Sequence, residues 1–188
     1  MDSPAPHQFV LGMSPLGPTE TAPLDLLREL YVAHLPYVAR SLRRLGIADR
    51  YIEDVTHDVF VVVHRRLGDF DRQRPAKPWL FGIAFRVASD FTKRAQNRRE
   101  LLVDPPTEPA TSDDGLDARA AQDLVLRALD GLPPEQRAVF VLHELDGEPV
   151  VELARSLEIP LNTAHSRLRL ARKRFIERVR ELGGPVDA

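Results

Sequence analysis

Residues 150–175, VVELARSLEIPLNTAHSRLRLARKRF, decide the fold of the C-terminal part of this chain. A short helical pattern over 150–157 is followed by a three-residue break, 158–160, and by a longer helical pattern from Leu161 to about Leu182. In the longer pattern, apolar residues recur at spacings of three and four, which predicts a stripe that faces the rest of the domain: Leu161, Ala164, Leu168, Ala171 and Phe175. This order of elements is typical of a helix-turn-helix unit.

The opposite face of the longer helix is polar and basic. Polar groups near the start of such a helix can hydrogen-bond base edges, and basic groups further along can contact phosphates. We therefore predict a surface that binds duplex DNA. It consists of Asn162, Thr163, His165, Ser166, Arg167, Arg169, Arg172 and Lys173. The alternative is an ordinary helical hairpin with a solvated basic surface.

Residues 24–99 predict a second helical block. Its first helix contains Pro36, which predicts a kink or a break there. A second helix is predicted over 50–67, with Asp49 as its N-cap, although the run VFVVV at 59–63 alone would favour a strand. A third helix starts near Lys77 or Pro78, where proline suits the first turn. Its predicted buried face consists of Trp79, Leu80, Ile83, Ala84, Val87 and Phe91.

Two segments of different composition flank this block. Residues 1–23 hold five prolines and predict a disordered tail, and the acidic, proline-containing stretch 100–121 predicts a flexible linker. In the second block, 122–182, Asp123 is predicted to cap a helix that runs through Leu132, and Pro133-Pro134 to begin another. No convincing strand is present, so the expected fold is all-α, with two small helical domains joined by the linker.

Composition excludes several classes of protein. The chain has 188 residues, 43% hydrophobic and 29% charged, as expected of a globular protein. It contains no cysteine, which excludes disulfides, thiolate zinc sites and cysteine nucleophiles. No apolar run reaches the roughly 20 residues of a membrane span, and no secretory signal is visible, so a cytoplasmic location is expected. The six histidines are dispersed, and we expect no enzymatic activity, metal or cofactor.

The net charge of −2 conceals two basic patches. Residues 63–99 contain ten basic and three acidic residues, and residues 155–180 contain eight basic and two acidic ones. Such patches are expected of a protein that neutralises phosphates, although solvated helix faces would look the same. An aromatic cluster, Trp79, Phe81, Phe85 and Phe91, follows the first basic residues and could stack on exposed bases. Trp79 and Phe91 fit the apolar stripe better, whereas Phe81 and Phe85 stay unsettled.

An acidic motif, EDVTHD, lies at the start of the predicted second helix. Its members are spaced four apart on one face: Glu53 with His57, and Asp54 with Asp58. A metal site could be built this way, but only one histidine is present and no second set of ligands is evident. A face that docks a basic partner is favoured, with a merely solvated face as the alternative.

The order of helical block, acidic linker and helix-turn-helix resembles bacterial RNA polymerase sigma factors. The resemblance is to the extracytoplasmic-function (ECF) group of the sigma-70 family, which keeps only regions 2 and 4. YIEDVTHDVFVVVHRRLGDFD (51–71) resembles region 2.2, RPAKPWLFGIAFRVASDFTKR (74–94) resembles regions 2.3 and 2.4, and residues 132–175 resemble region 4. Region 2 would then occupy 24–99 and region 4 would occupy 122–182.

The resemblance implies a role for each segment. Glu53, Asp54, His57 and Asp58 would bind the β′ clamp helices of the polymerase core, and the loop 71–77 would cradle a flipped base of the minus-10 element. The polar face of the last helix would bind the minus-35 element. Partners would be core polymerase, including its β flap, and promoter DNA, with an anti-sigma factor as a candidate and no membrane insertion. The implied minus-10 residues are Arg72, Arg74, Lys77, Trp79, Phe81, Arg86, Lys93 and Arg94.

Four positions depart from the family pattern. His64 stands where Trp is frequent, Pro149 where Ser or Thr is frequent, and Arg86 where many members have Asn. Glu158 stands at the turn position that commonly holds Gly, and a non-glycine residue in a left-handed turn costs about 1 kcal/mol. Two other functions stay open: a stand-alone helix-turn-helix regulator, which would usually need a dimer, and a helical enzyme.

Overall fold

The computed structural model describes residues 18–97 and 116–184, with side chains described over 24–96 and 119–184. Within these ranges the chain forms α-helices and no strand. The helices are α1 (Pro18–Arg44), α2 (Ile52–Arg65), α3 (Ala76–Asn97), α4 (Leu116–Asp130), α5 (Pro134–Phe140), α6 (Val150–Ser156) and α7 (Leu161–Glu181). The all-α prediction is confirmed.

Helices α1, α2 and α3 pack against one another as a three-helix unit. The VFVVV run is helical, as its spacing predicted, because Val55, Val59 and Val63 form one fully buried stripe on α2. Val38 and Leu42 of α1 are also fully buried. The period of the apolar residues therefore outweighs their intrinsic strand preference.

Helices α4 to α7 form a second unit around the helix-turn-helix pair α6 and α7. α5 begins at Pro134 as predicted, and its chain continues into a π-helical stretch, Val141–Leu145. The Phe140 and Phe175 rings stack with centroids 4.4 Å apart. The predicted stripe of α7 holds for Ala164, Leu168 and Ala171, which are buried, but Leu161 is exposed because it lies in the first turn of the helix.

Several local predictions differ from the structure. α1 runs unbroken through Pro36 and begins at Pro18, inside the predicted tail, and residues 1–17 lie outside the described part. Asp49 is not the N-cap of α2. That position belongs to Tyr51, and Asp49 accepts a 2.6 Å hydrogen bond from Arg43 Nε instead.

The fourth helix also begins earlier than predicted. α4 starts at Leu116, within the predicted linker, so Asp123 lies in its interior and caps nothing. The segment LDARAAQDLVLRALD is rich in alanine and leucine, which have high helix propensity and extend the helix towards the N-terminus. Residues 98–115 of the predicted linker lie outside the described residues.

The two units lie against each other. α6 packs on α3, and α4 contacts α1, so that the buried apolar residues of both units form one continuous cluster. Gly82 on α3 permits this approach, because a Cβ atom at that position would collide with the carbonyl oxygen of Ser156 at the end of α6.

Candidate nucleic-acid interface

The acidic face of α2 is exposed. Ile52, Val55 and Val59 point into the three-helix unit, so the motif residues on the other face point away from it. The structure thus brings together the four residues that the sequence grouped: Glu53, Asp54, His57 and Asp58. Among the described residues, no three histidines or carboxylates are placed to hold a metal ion.

The basic residues between α2 and the end of α3 divide into two groups. Arg72, Lys77, Lys93 and Arg94 are exposed. Arg74, Arg86 and Trp79 are half-buried; the Trp79 ring packs on the Phe70 ring at 4.9 Å between centroids.

The structure corrects the prediction for Phe81. It was predicted to contact DNA, but its side chain is fully buried in the core. Phe81, Ala84 and Ala88 follow the three-and-four spacing of a second buried stripe on α3, which explains the burial. Phe85 and Phe91 are half-buried, and the Phe91 ring lies 5.1 Å from that of Tyr51.

The polar face of α7 is accessible. Thr163 and Arg167 are half-buried, and the other six predicted residues are exposed: Asn162, His165, Ser166, Arg169, Arg172 and Lys173. Ser166 Oγ donates a 3.0 Å hydrogen bond to the Thr163 carbonyl, and Arg172 Nε lies 2.6 Å from Glu144 Oε1. The structure therefore assembles this predicted face on one side of the helix.

A buried carboxylate joins the two units. Asp146 accepts a 2.8 Å hydrogen bond from the Tyr37 hydroxyl and forms a 2.7 Å ion pair with Arg44 Nη1, and only 7% of its side chain is exposed. Burial, together with the negative charge of Asp146, raises the pKa of Tyr37 above its ordinary value. Burial and the same charge raise the pKa of Glu148. Removing one member of such a buried pair typically costs about 3–5 kcal/mol.

A second set of pairs lies where α6 meets α3. Arg74 pairs with Glu152, and Arg86 Nη2 lies 2.6 Å from Glu158 Oε1 and donates to the Ser156 carbonyl at 3.3 Å. Arg66 lies 3.7 Å from Glu158. These residues line one cleft together with Asp71 and Trp79, so the loop that was predicted to cradle a base faces α6.

Sequence reasoning missed this junction, although it had marked two of its members. Arg86 and Glu158, both departures from the family pattern, form one ion pair across the units. Glu158 has a φ of +56°, as the left-handed turn required.

A further contact places the Arg137 guanidinium against Gly46, whose φ is +94°. Burial lowers the pKa of Arg137, and Asp130, at 3.2 Å, acts in the opposite direction.

Comparison with known proteins identifies two family models within the chain. The model described as Sigma-70 region 2 matches residues 30–99, and the model described as Sigma-70, region 4 matches residues 122–175. Between them they match most of both helical units.

Named relatives agree with these matches. The ECF RNA polymerase sigma factor SigE of Mycolicibacterium smegmatis is 30% identical over 153 residues; the match covers 78% of this chain and 59% of that protein. The ECF RNA polymerase sigma-E factor of Escherichia coli K12 is 26% identical over 166 residues, which cover 81% of this chain and 86% of the relative.

A solved structure has a similar fold. The sigma factor RpoE of Bartonella quintana, crystallised in complex with the anti-sigma factor NepR, matches with a TM-score of 0.61 and 22% identity. The match covers 83% of this chain and 97% of that one.

In the described part of the present chain, no helix is long and apolar enough to cross a membrane.

Proposed function

We propose a division of labour between the two halves of this chain, which belongs to the ECF group of the sigma-70 family of RNA polymerase sigma factors. As a sigma factor it directs core polymerase to specific promoters for transcription initiation. The polymerase performs the covalent chemistry, in the cytoplasm, and the two units supply binding. Further partners that we propose are promoter DNA and an anti-sigma factor.

The acidic face of α2 is the proposed docking site for the polymerase core. Glu53, Asp54, His57 and Asp58 form a compact exposed surface, and three of the four are carboxylates. Complementary charge on a partner increases the association rate and fixes the orientation of the complex. The β′ clamp helices are the proposed partner of this face, and the β flap is the proposed partner of the second unit.

The minus-10 element is the proposed ligand of the three-helix unit. The exposed cations Arg72, Lys77, Lys93 and Arg94 can neutralise phosphates, and Trp79 offers an aromatic ring to an unstacked base. Arg74 and Arg86 lie beside that ring in the cleft. Phe81 has no place in this surface, because its side chain is buried in the core.

The minus-35 element is the proposed ligand of α7. Helix-turn-helix units place the N-terminal part of their second helix in the major groove, where Asn162, His165 and Ser166 would face base edges. Arg169, Arg172 and Lys173 lie further along and can contact phosphates. On the polymerase both units are held at a fixed separation, and the resulting effective concentration makes the joint contact with the promoter strong.

The exposed acidic face of α2 is the observation that carries this function. A stand-alone helix-turn-helix regulator has no use for it, whereas a sigma factor needs a surface for the core enzyme. The test variant reverses two charges on α2 and carries Asp54→Lys and Asp58→Lys. The control variant carries Asp25→Lys and Asp123→Lys, which change the net charge equally at exposed positions on α1 and α4. Pull-down with purified bacterial core polymerase and run-off transcription on genomic fragments are the two measurements.

We expect the α2 variant to lose core binding and specific transcripts by at least about tenfold while keeping its helical circular dichroism spectrum. The control variant should retain both activities. Retained core binding by the α2 variant would remove the docking role from this face. Duplex DNA binding by the protein alone, with no core binding by the wild type, would favour the stand-alone regulator.

A further inference from the structure

One exposed leucine lies inside the polar face of α7 that forms the proposed minus-35 surface. In α7, which the structure describes in full, three large apolar side chains are exposed: Leu161, Leu170 and Ile176. Leu161 precedes the first residue of the predicted face, Asn162, and Ile176 follows the last, Lys173. Leu170 is therefore the exposed apolar residue that the face surrounds.

Helical geometry places Leu170 beside residues of this face. Ser166 lies about one turn before it and Lys173 about one turn after it, so the three side chains are neighbours on the surface of α7. The side chains that anchor α7 lie on the opposite, buried stripe of the helix. Leu170 is 37% exposed and presents its methyl groups on the same side as the polar residues.

Leu170 lies within reach of the bases that the start of α7 would contact. It follows Asn162 by eight residues, which is about 12 Å along a helix. The major groove of B-DNA is also about 12 Å wide. Arg169 and Lys173, the basic neighbours of Leu170, can bind phosphates at the edge of the groove while the leucine faces its floor.

The chemistry of the groove limits what a leucine can recognise there. The base edges present hydrogen-bond donors and acceptors, and the C5-methyl group of thymine is the apolar group among them. A leucine that covers a donor or an acceptor leaves that group without a partner, which is unfavourable. The complementary contact for Leu170 is therefore a thymine methyl group.

We propose that Leu170 recognises one thymine of the minus-35 element through its C5-methyl group, and so helps to determine which promoters this protein selects. This role rests on the proposed function, because it needs α7 to lie in the major groove. A single exposed leucine is ordinary on a protein surface. The inference depends instead on the position of Leu170 between polar and basic residues of the DNA-facing side.

Replacing thymine with deoxyuridine tests the contact, because it removes this methyl group and leaves the base pairing unchanged. The probe is a duplex promoter identified by run-off transcription, with deoxyuridine placed at one minus-35 thymine at a time. It is titrated with the full chain assembled on core polymerase. At one position we expect the wild type to bind about fourfold more weakly, the factor that burial of one methyl group gives.

Two variants connect the methyl effect to the leucine. Leu170→Ala should bind the thymine promoter about fourfold more weakly and should no longer distinguish thymine from deoxyuridine at that position. Ile176→Ala, an equivalent truncation at an exposed position of the same helix, should retain the wild-type affinity and the methyl effect. The ratio of the two affinities is informative because a general weakening of DNA binding would leave it unchanged.

Three results would overturn the role of Leu170. They are an unchanged methyl effect in Leu170→Ala, wild-type binding that no deoxyuridine weakens, and a minus-35 element without thymine. Failure of the proposed function has a different signature, namely no core binding and no specific transcripts. In that case the same ratio is measured on a duplex that the protein selects by itself from a randomised library, and absence of any duplex binding would refute the contact.

Discussion

Glu158 combines a strained backbone with an ion pair. Its φ of +56° costs about 1 kcal/mol for a residue with a side chain. The side chain is 61% exposed, and an exposed pair such as that with Arg86 contributes only about 0–1 kcal/mol. The two contributions nearly cancel, so this residue adds little net stability. Its effect is instead on which surfaces of the two units meet.

Phe81 is an aromatic residue that the sequence placed among the DNA contacts, but its burial gives it a structural role. We expect Phe81→Ala to lower the free energy of unfolding by about 3–5 kcal/mol, because the substitution leaves a cavity in a fully packed core. Urea denaturation followed by circular dichroism measures the change. Phe85→Ala, at a half-buried position four residues on, is the matched control and should cost less. A Phe81→Ala protein as stable as the wild type would contradict the buried, tightly packed position of this ring.

Among the elements, α1 tolerates a proline in its interior. Pro36 lacks the N–H that would bind the carbonyl of Val32, yet α1 continues to Arg44. Tyr37, Val38 and Leu42, which follow the proline, are buried against the other helices of the unit. Tertiary packing of this face holds the helix together where local hydrogen bonding fails.

We expect Pro36→Ala to raise the free energy of unfolding by about 1–3 kcal/mol, because alanine restores the missing donor and has high helix propensity. Pro134→Ala is the control, since Pro134 occupies the first turn of α5, where the missing N–H has no helical partner. Its change should stay within about 0.5 kcal/mol. Thermal or urea unfolding of both variants gives the comparison. Equal effects of the two substitutions would contradict this account of α1.

Over the whole molecule, two small units share one apolar cluster and one charged junction. Units of this size bury a modest fraction of their surface, so contact between them adds appreciably to the stability of each. The same contact covers the proposed minus-10 cleft. Residues of α3 and of α6 therefore line this cleft together, at the contact between the two units.

The substitution Gly82→Ala tests the contact between the two units without changing any charge. The new methyl group would collide with the Ser156 carbonyl, so α6 must move away from α3. Alanine stabilises the interior of a helix by about 1 kcal/mol relative to glycine, so α3 should remain intact. Energy transfer between fluorophores attached at two introduced cysteines, His64→Cys on α2 and Glu177→Cys on α7, should fall as the two units move apart. Gly68→Ala is the control, because a Cβ there meets open space. Unchanged transfer in Gly82→Ala would show that the approach of the two units does not depend on this glycine.

The sequence determined the helices, the helix-turn-helix unit and the exposed faces of α2 and α7. Each depends on apolar spacings of three and four residues, which bring together side chains that are neighbours along one helix. The sequence also indicated the left-handed turn at Glu158, which the structure confirms. The roles of those faces in binding polymerase and DNA stay predictions.

Only the tertiary structure decided the continuity of α1 through Pro36, the burial of Phe81 and the pairing of Asp146, Glu152 and Glu158 with the first unit. Tyr37 and Asp146 are 109 residues apart in the chain, and no local period relates them. Such contacts depend on how two separately formed units dock. Their geometry follows from the summed shape and charge of both surfaces, which no segment of the sequence contains by itself.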